Sequence, residues 1–231
     1  MKKINKLKAS SVTAGFLGLM LINGAASANF GDFKFYAGAG LDYNNYGLGE
    51  FAKSFKTHKT NGLSLAVPIL GVKFNENFGL EFGYGFNKKF KMANSYRING
   101  VNGDLNFDVK TRNSYLDLVG FMPVADQIDL IGGIGLGHLK IKSLNGTYNT
   151  NPRIAGSNLT ITTKSKTSWR VKVGAQYNVN NNLGIRTLAT YQHVGSDLGW
   201  NFSAPGRAPV KKEGKFIKNM KSIGLDAVYT F

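Results

Sequence analysis

Ile223-Gly224-Leu225-Asp226-Ala227-Val228-Tyr229-Thr230-Phe231 ends the sequence, and its alternation governs how the rest is read. Ile223, Leu225, Ala227, Tyr229 and Phe231 fall on one side of an extended chain; Gly224, Asp226, Val228 and Thr230 fall on the other. Strict period-two alternation marks a strand with one apolar face. One face carries large, lipid-compatible side chains and the other small or polar ones. Which face meets the surroundings is the question that the remaining sequence has to answer.

The amino-terminal region narrows the surroundings. Lys2, Lys3, Lys6 and Lys8 form a positive segment, Val12 to Ile22 is apolar, and Ala26-Ser27-Ala28 is a small-residue cleavage site. These are the parts of a secretory signal, so residues 1–28 are expected to be removed and the mature chain to occupy 29–231. The apolar run is too short for a spanning helix, which needs about 20 residues, and no later run reaches that length. A chain that crosses a membrane without such a helix must do so as a closed sheet, because only helices and closed sheets satisfy every backbone polar group in lipid.

Composition agrees. The exported chain has no cysteine, which excludes a disulfide-stapled module and thiolate metal sites. The 29 glycines and many aromatic residues of the full sequence suit sheets. The average hydropathy is slightly polar, as expected when each strand shows one apolar face only.

Eight strand candidates follow: Phe33 to Tyr43, Leu63 to Phe74, Phe78 to Asn87, Arg112 to Met122, Ile128 to Lys140, Trp169 to Val179, Leu183 to Val194, and the terminal strand. The sixth is the clearest, with Trp169, Val171, Val173, Ala175, Tyr177 and Val179 against Arg170, Lys172, Gly174, Gln176 and Asn178. The second is more continuously apolar and interrupted by Pro68, so its facing is left open. Three connections are short (near Asn75, Asp126 and Asn181). Four are long and polar, at about 44–62, 88–111, 141–167 and 195–218. Short turns at one end and long loops at the other are the pattern of transmembrane barrels. Glu81, Arg170, Lys172 and Asp226 oppose the aromatic face, so the aromatic face is expected to be the outer one. Phe74, Phe78, Tyr177, Tyr229 and Phe231 near the short turns, and Tyr43, Tyr84, Trp169 and Tyr191 toward the long connections, form two girdles. The expected fold is all-β, an eight-stranded antiparallel up-and-down transmembrane barrel in the bacterial outer membrane.

Phe35-Tyr36-Ala37-Gly38-Ala39-Gly40-Leu41, the hairpin Gly71 to Glu81 and the terminal Tyr229-Thr230-Phe231 resemble small outer-membrane barrels of the OmpA-like, OmpX-like and opacity types. The carboxy-terminal aromatic resembles the assembly signal of such barrels. The resemblance implies that Tyr229 and Phe231 engage the barrel assembly machinery. OmpA itself continues into a peptidoglycan-binding domain; this sequence stops at Phe231, so cell-wall anchoring is not implied.

A lumen of eight strands is just wide enough to be filled by side chains. Glu81, Asp117, Arg170, Lys172, Arg186 and Asp226 point inward by parity, and buried charges persist only when paired. A cross-barrel ion network is therefore expected, acting as a structural plug rather than a gated pore. Cations gather in the long connections: Lys88, Lys89, Lys91, Arg97, Lys140, Lys142, Arg153, Lys164, Lys166, Lys211, Lys212 and Lys215. With flanking Arg112 and Lys140, those connections hold 19 Lys and Arg against 5 Asp and Glu, a net +14. A basic field attracts polyanions. Outer-membrane lipid and lipopolysaccharide are the nearest, and host glycans or acidic surface proteins lie beyond; nucleic acid is not expected, since export removes the chain from it.

Enzymatic chemistry has little support. His193 and Ser196 form the only loose base–nucleophile pair, without an acidic orienter, and His58 and His138 are isolated, so no metal site or cofactor follows. Gly132-Gly133-Ile134-Gly135-Leu136-Gly137 superficially matches a nucleotide loop, but no helix follows it. Asn145-Gly146-Thr147 and Asn158-Leu159-Thr160 match the glycosylation pattern, which carries little weight in a bacterial chain. The expected function is a non-enzymatic surface protein of the outer membrane, structural, with adhesion or polyanion binding through basic extracellular loops. A narrow passive channel is the alternative, and a rim-located lipid-modifying enzyme the third reading. Amino-terminal sequencing of protein extracted from outer membranes should read Asn-Phe-Gly-Asp; an intact Met1 end there would refute cleavage after Ala28.

Overall fold

The computed structural model describes residues 33–231 apart from 54, 55, 59, 88, 89, 99, 100, 152–157, 204 and 207. The expected signal segment therefore lies outside the described residues. The chain forms β1 (Lys34–Leu48), the one-turn helix α1 (Glu50–Lys53), β2 (Lys56–His58), β3 (Asn61–Lys73), β4 (Phe78–Asn87) and β5 (Phe90–Ile98). The long strands β6 (Val101–Ala125), β7 (Ile128–Asn151), β8 (Asn158–Asn178), β9 (Leu183–Ser203) and β10 (Val210–Thr230) follow. Eight of these close a ring of antiparallel pairs in the order β1-β3-β4-β6-β7-β8-β9-β10, and β10 pairs back onto β1 from Tyr36↔Thr230 to Leu48↔Ile217. No helix among the described residues is long and apolar enough to cross a membrane.

The alternation read from the sequence is the facing found. Leu63, Ile134, Val173 and Ile223 are each more than 60% exposed on the outer wall, and Leu41, Phe78, Leu136, Trp169, Leu225 and Tyr229 stand exposed beside them. Glu81, Asp117, Arg170, Lys172, Arg186 and Asp226 are buried on the inner face. Such a continuous exposed apolar belt is unsustainable in water and is what lipid selects. β3, whose facing the alternation left open, changes parity midway. Leu63 and Leu65 face out with Ser64 and Ala66 inside, but past Pro68 it is Ile69 and Gly71 that face in. The ladder to β4 skips between Ala66 and Ile69, a bulge that shifts the pattern by one residue.

Two expectations need correction. Much of what reads as long polar loops at 88–111, 141–167 and 195–218 is strand: β6 and β7 run 25 and 24 residues, and β8, β9 and β10 run 21 each. A membrane crossing takes about 9–11 residues, so roughly half of each strand lies beyond the lipid. There both faces meet water or a private core, and the lipid-facing alternation fades into a polar composition. A hairpin, β5 on the upper part of β6 with β2 added to β5, widens the same end.

The other correction concerns 44–62. It contains α1, whose Phe51 and Ala52 are buried in an apolar cluster with Tyr46, Met92, Val109, Leu139, Ile141, Val194, Leu198, Phe216, Ile217 and Met220. The Gly49 amide donates to Phe216 O at 2.9 Å, anchoring the helix to β10. The outer end of the lumen is thus filled by an apolar core of its own. On the lipid belt, Val173→Arg should lower refolding stability by about 2–4 kcal/mol in a denaturant titration. Lys166→Gln, above the belt, should change it little; equal losses would contradict the placement of the lipid boundary.

Candidate functional site: the lumen and the outer wall

Glu81 of β4 and Asp117 of β6 are direct partners in the ladder, so two carboxylates stand side by side on the inner face. Like charges opposite each other repel. Cations reach them from the far wall. Lys172 of β8 lies 2.6 Å from Glu81 Oε1 and 3.0 Å from Asp117 Oδ2, Arg186 of β9 lies 2.7 Å from Glu81 Oε2, and Arg170 lies 3.2 Å from Asp117 Oδ1. The Tyr36 hydroxyl donates to Glu81 Oε2 at 2.9 Å, and Arg186 Nε donates to Gln176 Oε1 at 2.7 Å. Arg170 sits 3.7 Å from the centre of the Tyr115 ring, and Arg186 sits 4.6 Å from that of Tyr36. Each aromatic ring occupies space that a glycine leaves: a Cβ at Gly71 or at Gly83 would collide with the ring of Tyr36 or Tyr115.

The interior is layered around this belt. Toward the short turns, Val119, Phe121, Ile131 and Leu188 pack together, and a polar bowl of about 430 Å3 opens between Lys34, Lys73, Asp129, Gln176 and Asn178. Toward the outer end, Asn113 Nδ2 donates to Gln192 Oε1 at 3.0 Å and Asn44 donates to Ser64 Oγ, below the apolar cluster. Five of the six charges expected inside join one network. Asp226 is buried at 5% exposure, but no cation of the described residues lies within 4.0 Å of it. Asp42, an inward residue that the expected network omits, has the same isolation. Only its parity pointed to it.

The cations of the outer end separate by position. Lys140, Lys164, Lys166, Lys211, Lys212 and Lys215 are exposed on β7, β8 and β10. Lys91, Arg97 and Lys142 belong to β5 and β7, and Lys88, Lys89 and Arg153 lie outside the described residues. Register aligns Lys164 with Asp197 and Asp197 with Lys215, making one row across three strands. Lys164 reaches Glu213 at 2.7 Å and Lys166 reaches Asp197 at 3.8 Å. The hydrogen bond from Lys164 holds the Glu213 carboxyl below its ordinary range, and the Glu213 carboxylate raises Lys164. The pair is therefore fully charged at neutral pH. Its contribution disappears when acid protonates Glu213 or base deprotonates Lys164.

His193 and Ser196 come apart. The His193 ring stacks on Trp169 at 6.0 Å on the outer wall, whereas Ser196 is buried at 1% exposure on the inner face. Three residues apart on a strand means opposite faces, so no dyad exists there. The network itself has a measurable worth. Glu81→Ala leaves Lys172 and Arg186 buried without their shared carboxylate and should cost about 3–5 kcal/mol in refolding titrations. A loss under 1 kcal/mol would show that solvent reaches the belt.

OprG of Pseudomonas aeruginosa, a solved outer membrane protein, is similar in fold with a TM-score of 0.57 at 15% identity, covering 87% of this chain and 96% of that one. The outer membrane protein AlkL, solved in lipid bilayers, gives a TM-score of 0.51 at 15% identity, covering 90% of this chain and 94% of that one. A search of curated protein sequences gives no match. Residues 14–231 match the family described as the outer membrane protein beta-barrel domain. With its closed eight-stranded ring, its lipid-facing apolar belt and this match over nearly its whole length, the chain belongs to that family and is a protein of the bacterial outer membrane.

Proposed function

We propose that the protein is a non-conducting, non-catalytic surface barrel whose outer wall binds polyanions, first of all the phosphorylated lipid of its own leaflet. One observation carries the reading: exposed lysines begin where the lipid belt of β10 stops. Ile223, Leu225, Ala227 and Tyr229 are exposed along the belt, and Lys221, Lys218, Lys215 and Lys211 continue the same strand outward, all of them exposed. Lys164 and Lys166 add to them from β8, against Asp197 and Glu213. A surplus of cations at headgroup height attracts lipopolysaccharide phosphates, and the same field suits sulfated or acidic host surfaces. Closure of the lumen supports the first half of the reading. Ions would have to pass both the paired belt at Glu81 and the apolar cluster around Phe216, which requires opening two cores together.

Export and assembly complete the proposal. Residues 1–28 serve as the cleaved signal, and Tyr229 and Phe231 are offered to the assembly machinery. Phe231 is 74% exposed, its ring edge-on to that of Tyr229 at 5.4 Å, while its amide is pinned to Phe35 O at 2.8 Å, so the two aromatic groups are presented together on the outer wall.

Heparin and purified lipopolysaccharide are suitable probes for the refolded barrel. Binding should weaken steeply between 0.1 M and 1 M salt, as the Debye length falls from about 10 Å to about 3 Å. Replacing Lys211, Lys215 and Lys218 by Gln should weaken it with folding intact, whereas Glu213→Gln, which releases Lys164, should strengthen it. Absence of binding at low salt, or steady single-channel currents in planar bilayers, would overturn the reading in favour of a purely structural barrel or a passive channel.

A further inference from the structure

Lys34 opens β1 and Lys73 closes β3, and the ladder sets them directly opposite each other at the end of the barrel that carries the short turns. Both belong to the inner face, each two residues from the inward pair Tyr36↔Gly71 of the same ladder. Side chains placed in this way have their Cβ atoms about 5 Å apart, and like charges there destabilise the pair. Neither ammonium has a carboxylate within 4.0 Å among the described residues. Lys73 Nζ instead rests 4.0 Å from the centre of the Phe121 ring, which attracts a cation without neutralising it. Two cations are thus held together without a counter-charge, and both line the polar bowl of about 430 Å3.

The bowl has a closed floor. Along β7, Asp129 lines the bowl, Ile131 belongs to the apolar layer with Val119, Phe121 and Leu188, and Gly135 stands opposite Asp117 of the charged belt. The apolar layer therefore separates bowl from belt, and the bowl opens toward the short turns, which lie on the periplasmic side of such barrels. Asp126 and Asp129 are the other ionisable groups of its lining. Asp129 is buried and fixed by a chain of hydrogen bonds. Arg186 Nε donates to Gln176 Oε1 at 2.7 Å, Gln176 donates to Asn178 Oδ1, and Asn178 Nδ2 donates to Asp129 Oδ2 at 3.0 Å. Carboxamides of Gln127, Gln176, Asn178 and the turn Asn180 to Asn182 complete the lining. That turn is set in place: Asn180 Oδ1 accepts the amides of Asn182 and Leu183 at 2.9 and 2.8 Å, and Asn182 Nδ2 donates to Thr230 O at 2.8 Å.

We infer that the bowl is a periplasmic binding site for a short peptide with free ends, its carboxylate between Lys34 and Lys73 and its amine toward Asp126 and Asp129. Charge selects that class. Two cations and two anions line the bowl, so a simple anion suits one wall and is repelled by the other, whereas a dipolar ligand complements both. A carboxylate between the lysines replaces their repulsion with charge-assisted hydrogen bonds. Carboxamides donate and accept at once, as the N–H and C=O groups of a peptide backbone require. The volume falls in the range of small-molecule sites, and three extended residues span roughly 10 Å. The site lies at the opposite end of the barrel from the lysine row of the outer wall and does not depend on it.

Triglycine is the probe, titrated at pH 7 and low salt into the barrel refolded in detergent while backbone amide shifts are recorded by NMR. Saturable shifts are expected at Lys34, Lys73, Asp129 and Asn178, with Lys164 and Lys215 at the far end unmoved. Triglycine amide, which lacks the carboxylate, and N-acetyltriglycine, which lacks the amine, should each bind about tenfold more weakly. The double variant Lys34→Gln with Lys73→Gln should weaken triglycine to the same degree, and it should still fold because it removes a like-charge pair. The three-peptide comparison on the wild type stands whether or not that variant folds. Absence of saturable shifts up to about 20 mM triglycine, or equal affinities for the three peptides, would overturn the site. Undiminished binding of N-acetyltriglycine beside weakened triglycine amide would overturn the dipolar ligand in favour of a simple anion.

Discussion

Lipid supplies no hydrogen-bond partners, and from that constraint the rest of the molecule follows. Every amide in the belt must pair with a neighbouring strand, so the sheet has to close, and closure falls on β1 and β10, the first and last strands of the described residues. Closing eight strands fixes a lumen just wide enough to be filled by side chains. The inner face must therefore be filled. Because every outward position is committed to lipid, the polar residues of the chain's transmembrane half concentrate inside. The charged belt is the consequence of that partition, and its cost is recovered only through mutual pairing. Glu81 accepts three hydrogen bonds, from Lys172, Arg186 and Tyr36, which is near the capacity of a carboxylate.

Legibility tracked this partition. Within the lipid belt two faces differ sharply, and simple parity assigned Val171, Val173 and Tyr177 outward and Arg170, Lys172 and Gln176 inward. It also assembled most of the ion network, because buried charge admits few arrangements. Parity failed at β3, where the bulge at Pro68 moves the pattern by one residue and a run of Leu, Ala, Val and Ile gives no polar residue to show the slip. It failed again above the belt. There a strand with water on one side and an apolar cluster on the other, such as Asn158 to Thr167, looks like a Thr- and Lys-rich loop.

The apolar cluster at the outer end was the least legible feature, for a physical reason. Its members come from β1, α1, β5, β6, β7, β9 and β10, at most three from any one segment, as single residues or adjacent pairs within polar stretches. No local window announces a core built from such scattered contributions. Phe51-Ala52 and Phe216-Ile217 in particular read as short apolar pairs between charged residues, and only the closed ring brings them together. The isolated His193 and Ser196 show the reverse error: sequence proximity suggested a pair, and strand geometry put them on opposite sides of the wall.

Extension of the wall beyond lipid joins these observations. A barrel whose strands stop at the membrane needs only the charged belt to fill it. Once β6 to β10 continue outward, the lumen continues with them, and in water the economical filling is apolar. The same extension lifts Lys164, Asp197 and Lys215 into one row on the outer wall, where the hydrogen-bonded ladder fixes their spacing. Lysines carried on a ladder keep their separation, unlike lysines on a mobile loop, so an anion docking there need not order the chain to bind. The polar composition that first reads as floppy loops is thus compatible with a rigid surface, because rigidity there comes from the sheet and from the buried cluster behind it rather than from the exposed residues themselves.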